Sequence, residues 1–264
     1  MALADRFDAF LIDLDGVVWV GREPVPGSPQ ALARLLEDGK QIAFVTNNPT
    51  RRPADYAERL SGFGVDVGPE RVVTAGVVAA RLAGEAAAGG TAFVIGAAPL
   101  KELVSEAGAT VLDGDAGREA DVVVVSGHRG FDYEELLTAK RALDRGAALI
   151  ASSRDPTLPM PDGEWPGTGS ILAAVETASG RVAEIGGKPE RHLFAMALEV
   201  VGASARKPGR VAMVGDRIAS DVEGGRRAGL ATIMVLTGAG SRAEAEAAVP
   251  GPDFVVEDLA AVLA

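Results

Sequence analysis

The chain has 264 residues, long enough to bury a substantial core and, at about 150 residues per domain, near the length of two domains. Hydrophobic residues make up 47% and charged ones 24%, a globular composition rather than a disordered one. The balance of 26 basic and 37 acidic residues, net −11, disfavours nucleic acid and acidic membrane surfaces as partners. There are no cysteines, which excludes disulfides, thiolate nucleophiles and cysteine zinc sites. Two histidines, His128 and His192, are too few for a multi-histidine metal centre. Residues 1–6 lack the pattern of a signal peptide, and no apolar run reaches the roughly 18 residues of a membrane span. A cytoplasmic protein is expected.

Taken in chain order, residues 9–12 read as a buried strand, 30–36 as a helix ended by Gly39, 42–45 as a strand and 54–60 as a helix. Further strands are expected at 93–95, 122–125, 148–150, 211–214, 231–236 and 254–256. Helical spacing recurs at 100–107, 134–143, 171–178, 193–201 and 243–249. Unalternated Val/Ile/Leu runs between helices predict a doubly wound α/β fold whose mainly parallel sheet is covered on both faces. The Pro/Gly-rich stretch 156–169 breaks this rhythm and is expected to be a functional loop.

Sheets of this kind carry their sites at the carboxyl ends of strands. The first expected strand ends in Asp13-Leu14-Asp15-Gly16 and the second in Thr46-Asn47-Asn48. Strand 211–214 runs into Gly215-Asp216-Arg217, with Asp221 five residues after Asp216, and Gly186-Gly187-Lys188 precedes a helix starting near Pro189. Singly, each is most simply a cap or turn residue. Jointly, their chemistry is complementary. A hard divalent cation takes a few carboxylate oxygens plus substrate phosphate. A carboxylate can attack phosphorus, and hydroxyl, amide and ammonium groups can neutralise the transferring phosphoryl oxygens. A second carboxyl two residues on can protonate the leaving oxygen and later activate water.

This set resembles the haloacid dehalogenase superfamily along essentially the whole chain: Asp13-Leu14-Asp15-Gly16-Val17, Thr46-Asn47-Asn48, Gly187-Lys188-Pro189 and Gly215-Asp216 through Asp221 match its four motifs in order. The resemblance implies that Asp13 is the nucleophile and a Mg²⁺ ligand. It makes Asp15 the general acid and base, binding metal through its carbonyl. Thr46, Asn47 and Lys188 would hold the phosphate, and Asp216 would complete the protein's metal ligands, supported by Asp221. Between Asn48 and Lys188 there is room for an inserted α/β cap, as in the class II, subtype A phosphatases of the NagD and p-nitrophenyl phosphatase type. The cap is expected at 85–182, leaving a Rossmann-like core of 1–84 and 183–264.

The same resemblance points to a small phosphomonoester as substrate and to pairing of two copies through their caps. Asp155 and Leu158 are the candidate specificity residues. Pyridoxal phosphatase has His at the Leu158 place, whereas phosphoglycolate-type relatives have an apolar residue, so glycerol phosphate or phosphoglycolate is favoured. Nucleotide, sugar and pyridoxal phosphates stay open as alternatives. Ser126-Gly127-His128-Arg129 stands where many relatives carry Gly-x-Asp-Arg, leaving the role of His128 open. A receiver-like phospho-acceptor domain also uses Asp, Thr and Lys-Pro, but receivers are about one domain long, too short for the distance from Thr46 to Lys188. Gly167-Thr168-Gly169-Ser170 follows Trp165-Pro166 rather than a strand and lacks the third glycine of a dinucleotide fingerprint.

Overall fold

The computed structural model describes residues 2–160, 163–202 and 210–264. The chain divides into two compact units, one of Met1–Thr46, Pro53–Val73 and Lys188–Ala264, the other of Asn47–Arg52 and Thr74–Gly187. The first leg of the chain carries β1 (Ala9–Asp13), a small hairpin of β2 (Trp19–Val20) and β3 (Glu23–Pro24), α1 (Ser28–Glu37), β4 (Gln41–Thr46), α2 (Pro53–Gly62) and β5 (Val72–Thr74). The middle leg carries α3 (Ala75–Ala87), β6 (Thr91–Ile95), α4 (Ala98–Glu106), β7 (Thr110–Leu112), β8 (Val122–Val125), α5 (Tyr133–Asp144) and β9 (Ala148–Ala151). It ends with β10 (Thr157–Met160), β11 (Gly163–Pro166), α6 (Thr168–Ser179) and β12 (Glu184–Ile185). The last leg has α7 (Arg191–Val200), β13 (Val211–Gly215), α8 (Glu223–Arg227), β14 (Ala231–Val235), α9 (Arg242–Ala247) and β15 (Phe254–Val256).

The sheet of the first unit runs β15-β14-β13-β1-β4-β5. β1 pairs in parallel with both β13 and β4, and β14 pairs in parallel with β13 and β15. All five residues of β1 are buried, as a central strand covered on both faces requires. Phe10, Ile12, Leu32, Leu35 and Phe44 sit in one apolar cluster, and each such side chain contributes roughly 1.5–3 kcal/mol by leaving water. From β1 the chain steps outward through β4 and β5 on one side, and from β13 through β14 and β15 on the other. The carboxyl ends of β1 and β13 therefore border the point where strand order reverses, the position at which open α/β sheets bind ligands.

The second unit has its own parallel sheet, β12-β9-β8-β6-β7. Alternation along β8 splits its side chains between two cores. Val123 and Val125 meet Ala139, Leu143, Ile171 and Leu172 of α5 and α6, while Val122 and Val124 meet Ala79, Ala83, Leu100 and Val104 of α3 and α4.

The insertion was expected at 85–182; the second compact unit takes in Asn47–Arg52 and Thr74–Gly187, including α3, an Ala/Gly-rich helix not expected from the sequence, which packs on α4 and β8. One expectation needs correction. The stretch 156–169 is not a loop, since β10 and β11 form an antiparallel hairpin within it, pairing Thr157 with Pro166 and Leu158 with Trp165. Proline is tolerated there because a two-stranded ribbon has only edge strands. Pro161 and Asp162 of that stretch lie outside the described residues.

Candidate active site

Asp13 is the last residue of β1, and Asp216 directly follows β13. Asp221 lies in a π-helical turn, Ile218–Val222, in which the Val222 N–H reaches back to the Arg217 carbonyl. Wide turns of this kind recur at functional sites. The three carboxylates are buried and offer oxygens within 4.8 Å of one another. Lys188 Nζ bridges two of them, 2.8 Å from Asp13 Oδ1 and 2.7 Å from Asp221 Oδ1. The other oxygen of Asp221 accepts the Arg217 N–H at 3.0 Å, so both its oxygens are engaged. Asp13 Oδ1 also accepts the Leu14 N–H at 2.9 Å.

Asp216 is held differently. Its Oδ2 accepts the Ala239 N–H at 2.6 Å, whereas its Oδ1 is buried and, among the described residues, has no hydrogen-bond partner. Glycine makes the space for it: a Cβ at Gly16, where φ is +88°, or at Gly238 would collide with the Asp216 carboxylate. Three carboxylates against one ammonium leave a buried excess of negative charge. At 4.8 Å two such charges repel by roughly 3 kcal/mol at an effective dielectric near 20.

The titration behaviour follows from this crowding. Burial first, and the neighbouring Asp221 and Asp216 charges with it, push the Asp13 carboxyl well above the usual aspartate range, against the pull of Lys188. Burial and the Asp221 charge likewise raise Asp216. Burial would pull the Lys188 ammonium down, but Asp13 and Asp221 more than offset it, so its pKa lies above the ordinary lysine value.

The other expected site residues are placed as follows. Asp15 is exposed, and its Oδ1 accepts the Trp19 indole N–H at 2.9 Å. Thr46 ends β4 and is buried, one residue past Val45, which pairs with Asp13. Asn47, Asp155 and Leu158 belong to the second unit, where Asn47 Nδ2 donates to Asp155 Oδ2 at 3.0 Å. Leu158 lies opposite Trp165 in the hairpin, and the Arg129 guanidinium sits 4.5 Å from the Trp165 ring centroid. His128 Nε2 lies 2.8 Å from Glu135 Oε2, an ion-pair geometry within the second unit. Sequence reasoning missed Trp19 and the Gly238-Ala239 backbone. The signals available were an indole four residues after Asp15 and the Thr237-Gly238-Ala239-Gly240 run following a core strand.

A parallel α/β sheet with a buried carboxylate cluster at its switch point defines an enzyme scaffold built to hold charge out of water. Residues 10–110 match the family model of haloacid dehalogenase-like hydrolases, and residues 185–262 match a second model described as HAD-hydrolase-like. Mouse chronophin is 38% identical over 266 residues, spanning 95% of this chain and 90% of that protein. The p-nitrophenyl phosphatase from Archaeoglobus fulgidus superposes with a TM-score of 0.89 at 33% identity, covering 97% of this chain and 98% of its own. A glycerol phosphate phosphatase from Mycobacterium tuberculosis, solved in complex with magnesium, superposes with a TM-score of 0.89 at 34% identity, covering 100% of this chain and 78% of its own. The chain belongs to the haloacid dehalogenase-like hydrolases, and within them to the NagD-like group. Among the described residues no helix is long and apolar enough to cross a membrane.

Proposed function

We propose that this hydrolase is a magnesium-dependent phosphatase that cleaves small phosphomonoesters through an aspartyl phosphate on Asp13, with glycerol phosphate or phosphoglycolate favoured. The observation that carries the reading is the buried, over-acidic cluster of Asp13, Asp216 and Asp221 around Lys188. Its all-oxygen donor set and the unpartnered Asp216 Oδ1 fit a hard divalent cation. Asp13, Asp216 and the backbone carbonyl of Asp15 would hold it. Bound there, the ion would screen the cluster from an incoming phosphate dianion.

The rest is the work of the chain's own groups. Lys188, Thr46 and Asn47 hold the phosphoryl oxygens. An Asp13 carboxylate oxygen attacks phosphorus, forming an O–P bond as the ester P–O bond breaks and its electron pair stays on the departing oxygen. Asp15, in its carboxylic acid form, gives its proton to that oxygen. Water then attacks phosphorus, its proton passes to Asp15, and the bond to Asp13 breaks to release inorganic phosphate. Asp221 keeps Lys188 in place.

Asp155 and Leu158 of the second unit select the leaving group. Leu158 offers an apolar wall that suits a small aliphatic group, and the similarity to a glycerol phosphate phosphatase supports the same choice. Pairing of two copies through the second unit belongs to this reading by resemblance, and a cytoplasmic location is supported by the cysteine-free composition. The test is phosphate release from purified protein with Mg²⁺ over glycerol, phosphoglycolate, pyridoxal, nucleotide and sugar phosphates, ranked by kcat/KM. The first two should lead. No release from any ester would overturn the reading.

A further inference from the structure

We infer that Trp19 is a positioning residue for Asp15: its indole N–H holds Oδ1 and so leaves Oδ2 as the oxygen that gives and takes the proton. The inference rests on the reading of Asp15 as proton donor given above.

Asp15 is exposed, and an exposed aspartate ordinarily samples several side-chain rotamers. Here one oxygen is tied at 2.9 Å to the Trp19 Nε1–H, and among the described residues this is the only side chain bonded to it. Trp19 is an anchor that does not swing. It is fully buried, its ring is parallel to that of Tyr56 with centroids 6.3 Å apart, and Phe63 packs at 6.2 Å. The Arg59 guanidinium lies 4.0 Å from its ring centroid and is itself tied to the Gly21 carbonyl at 2.7 Å.

The backbone closes the same turn. Gly16 N–H donates to the Trp19 carbonyl at 2.7 Å, and the N–H groups of Val18 and Trp19 donate to the Leu14 carbonyl at 2.9 and 3.2 Å. Residues 15 and 19 are thus fixed to each other by main chain and side chain alike. A burial role alone would be filled by any large apolar ring, and phenylalanine would avoid having an N–H to satisfy. The indole donor instead finds its partner in the one carboxyl of the turn that faces solvent. An acid that must meet the leaving oxygen within hydrogen-bond reach gains from being aimed before substrate arrives.

The experiment compares Trp19→Phe with the unaltered protein on two esters, glycerol phosphate and p-nitrophenyl phosphate. The first leaves as a strongly basic alkoxide and needs a proton, while p-nitrophenolate departs readily without one. The ratio of the two kcat/KM values within a single preparation cancels any unfolded fraction. Trp19→Phe should lower that ratio by about tenfold, a part of the 10²–10⁴ that a general acid supplies. In an Asp15→Asn background the same substitution should leave the ratio unchanged, since the group it aims is gone. Equal losses on both esters, or a further fall of the ratio in the Asp15→Asn background, would overturn the inference and make Trp19 a packing residue. If Asp15→Asn alone leaves the ratio unaltered, the proton-donor reading of Asp15 fails instead.

Discussion

Lys188 Nζ lies 2.8 Å from Asp13 Oδ1, with 2% and 9% of the two side chains exposed. A lysine this deep is stable only because carboxylates surround it, and the carboxylates are tolerable only because it is there. The same contact pulls the Asp13 carboxyl toward its ionised, nucleophilic form, although burial outweighs that pull and leaves the group above the usual aspartate range.

Lys188→Met should therefore be strongly destabilising, by about 3–5 kcal/mol, because it leaves two buried carboxylates unpaired. Urea unfolding in EDTA measures this. Adding Asp221→Asn should recover part of the loss by removing one of the stranded charges, and a double variant no more stable than the single would show that the ion pairs are not the cause.

Asp13→Asn should abolish turnover, since an amide is a poor nucleophile, while preserving the fold. Its effect on stability has a definite sign. The folded-state pKa of Asp13 is raised, so whatever stability the group contributes is fully present below the unfolded value of about 3.9 and is lost as pH rises through the folded one. In metal-free protein near neutral pH, Asp13→Asn should melt higher than the unaltered chain, and the gap should close as pH falls toward 4. A gap of roughly 2–4 °C corresponds to about 1 kcal/mol. Thermal melts at several pH values in EDTA decide it, and a lower melting point for Asp13→Asn at neutral pH would contradict the electrostatic account.

Removal of divalent cations should stop hydrolysis of p-nitrophenyl phosphate, with recovery on adding Mg²⁺. The reason is the buried excess of negative charge, which faces a dianionic substrate. The same addition should raise the melting temperature of the unaltered protein more than that of Asp13→Asn, because binding to the folded state alone is stabilising. Full turnover in excess EDTA would refute the metal requirement.

The core cluster was legible in the sequence because strand ends in a parallel sheet are marked by an apolar run stopping at a polar residue. Asp13, Thr46 and Asp216 each stand at such a stop. Lys188 and Asp221 were marked by their places before a helix and five residues after Asp216, but their roles came only from the resemblance, since nothing in the spacing of 188 and 221 announces a 2.7 Å contact. Trp19 escaped because a buried aromatic reads as core, and its N–H finds Asp15 only once the turn from Leu14 to Trp19 is closed. Helix α3 escaped for a different reason. Its buried face is made largely of Ala and Gly, whose weak hydrophobic contrast hides the helical period.

Specificity can be tested at Leu158. The residue lies on β10 opposite Trp165, partly buried, in a hairpin that carries no member of the carboxylate cluster. An apolar side chain there suits a small aliphatic leaving group and offers no partner to a polar ring atom, which would be left unsatisfied. Leu158→His should shift the kcat/KM ratio toward pyridoxal phosphate and away from glycerol phosphate or phosphoglycolate. One hydrogen bond is worth about 1 kcal/mol, so a shift of several-fold is the expected scale. Turnover of p-nitrophenyl phosphate should change little, because the substitution touches neither Asp13 nor its partners. Paired kcat/KM measurements on the same preparation give the answer: an equal loss on every ester, or an unchanged ratio, would make Leu158 a packing residue of the hairpin and move the search for specificity to Asp155 and its Asn47 contact.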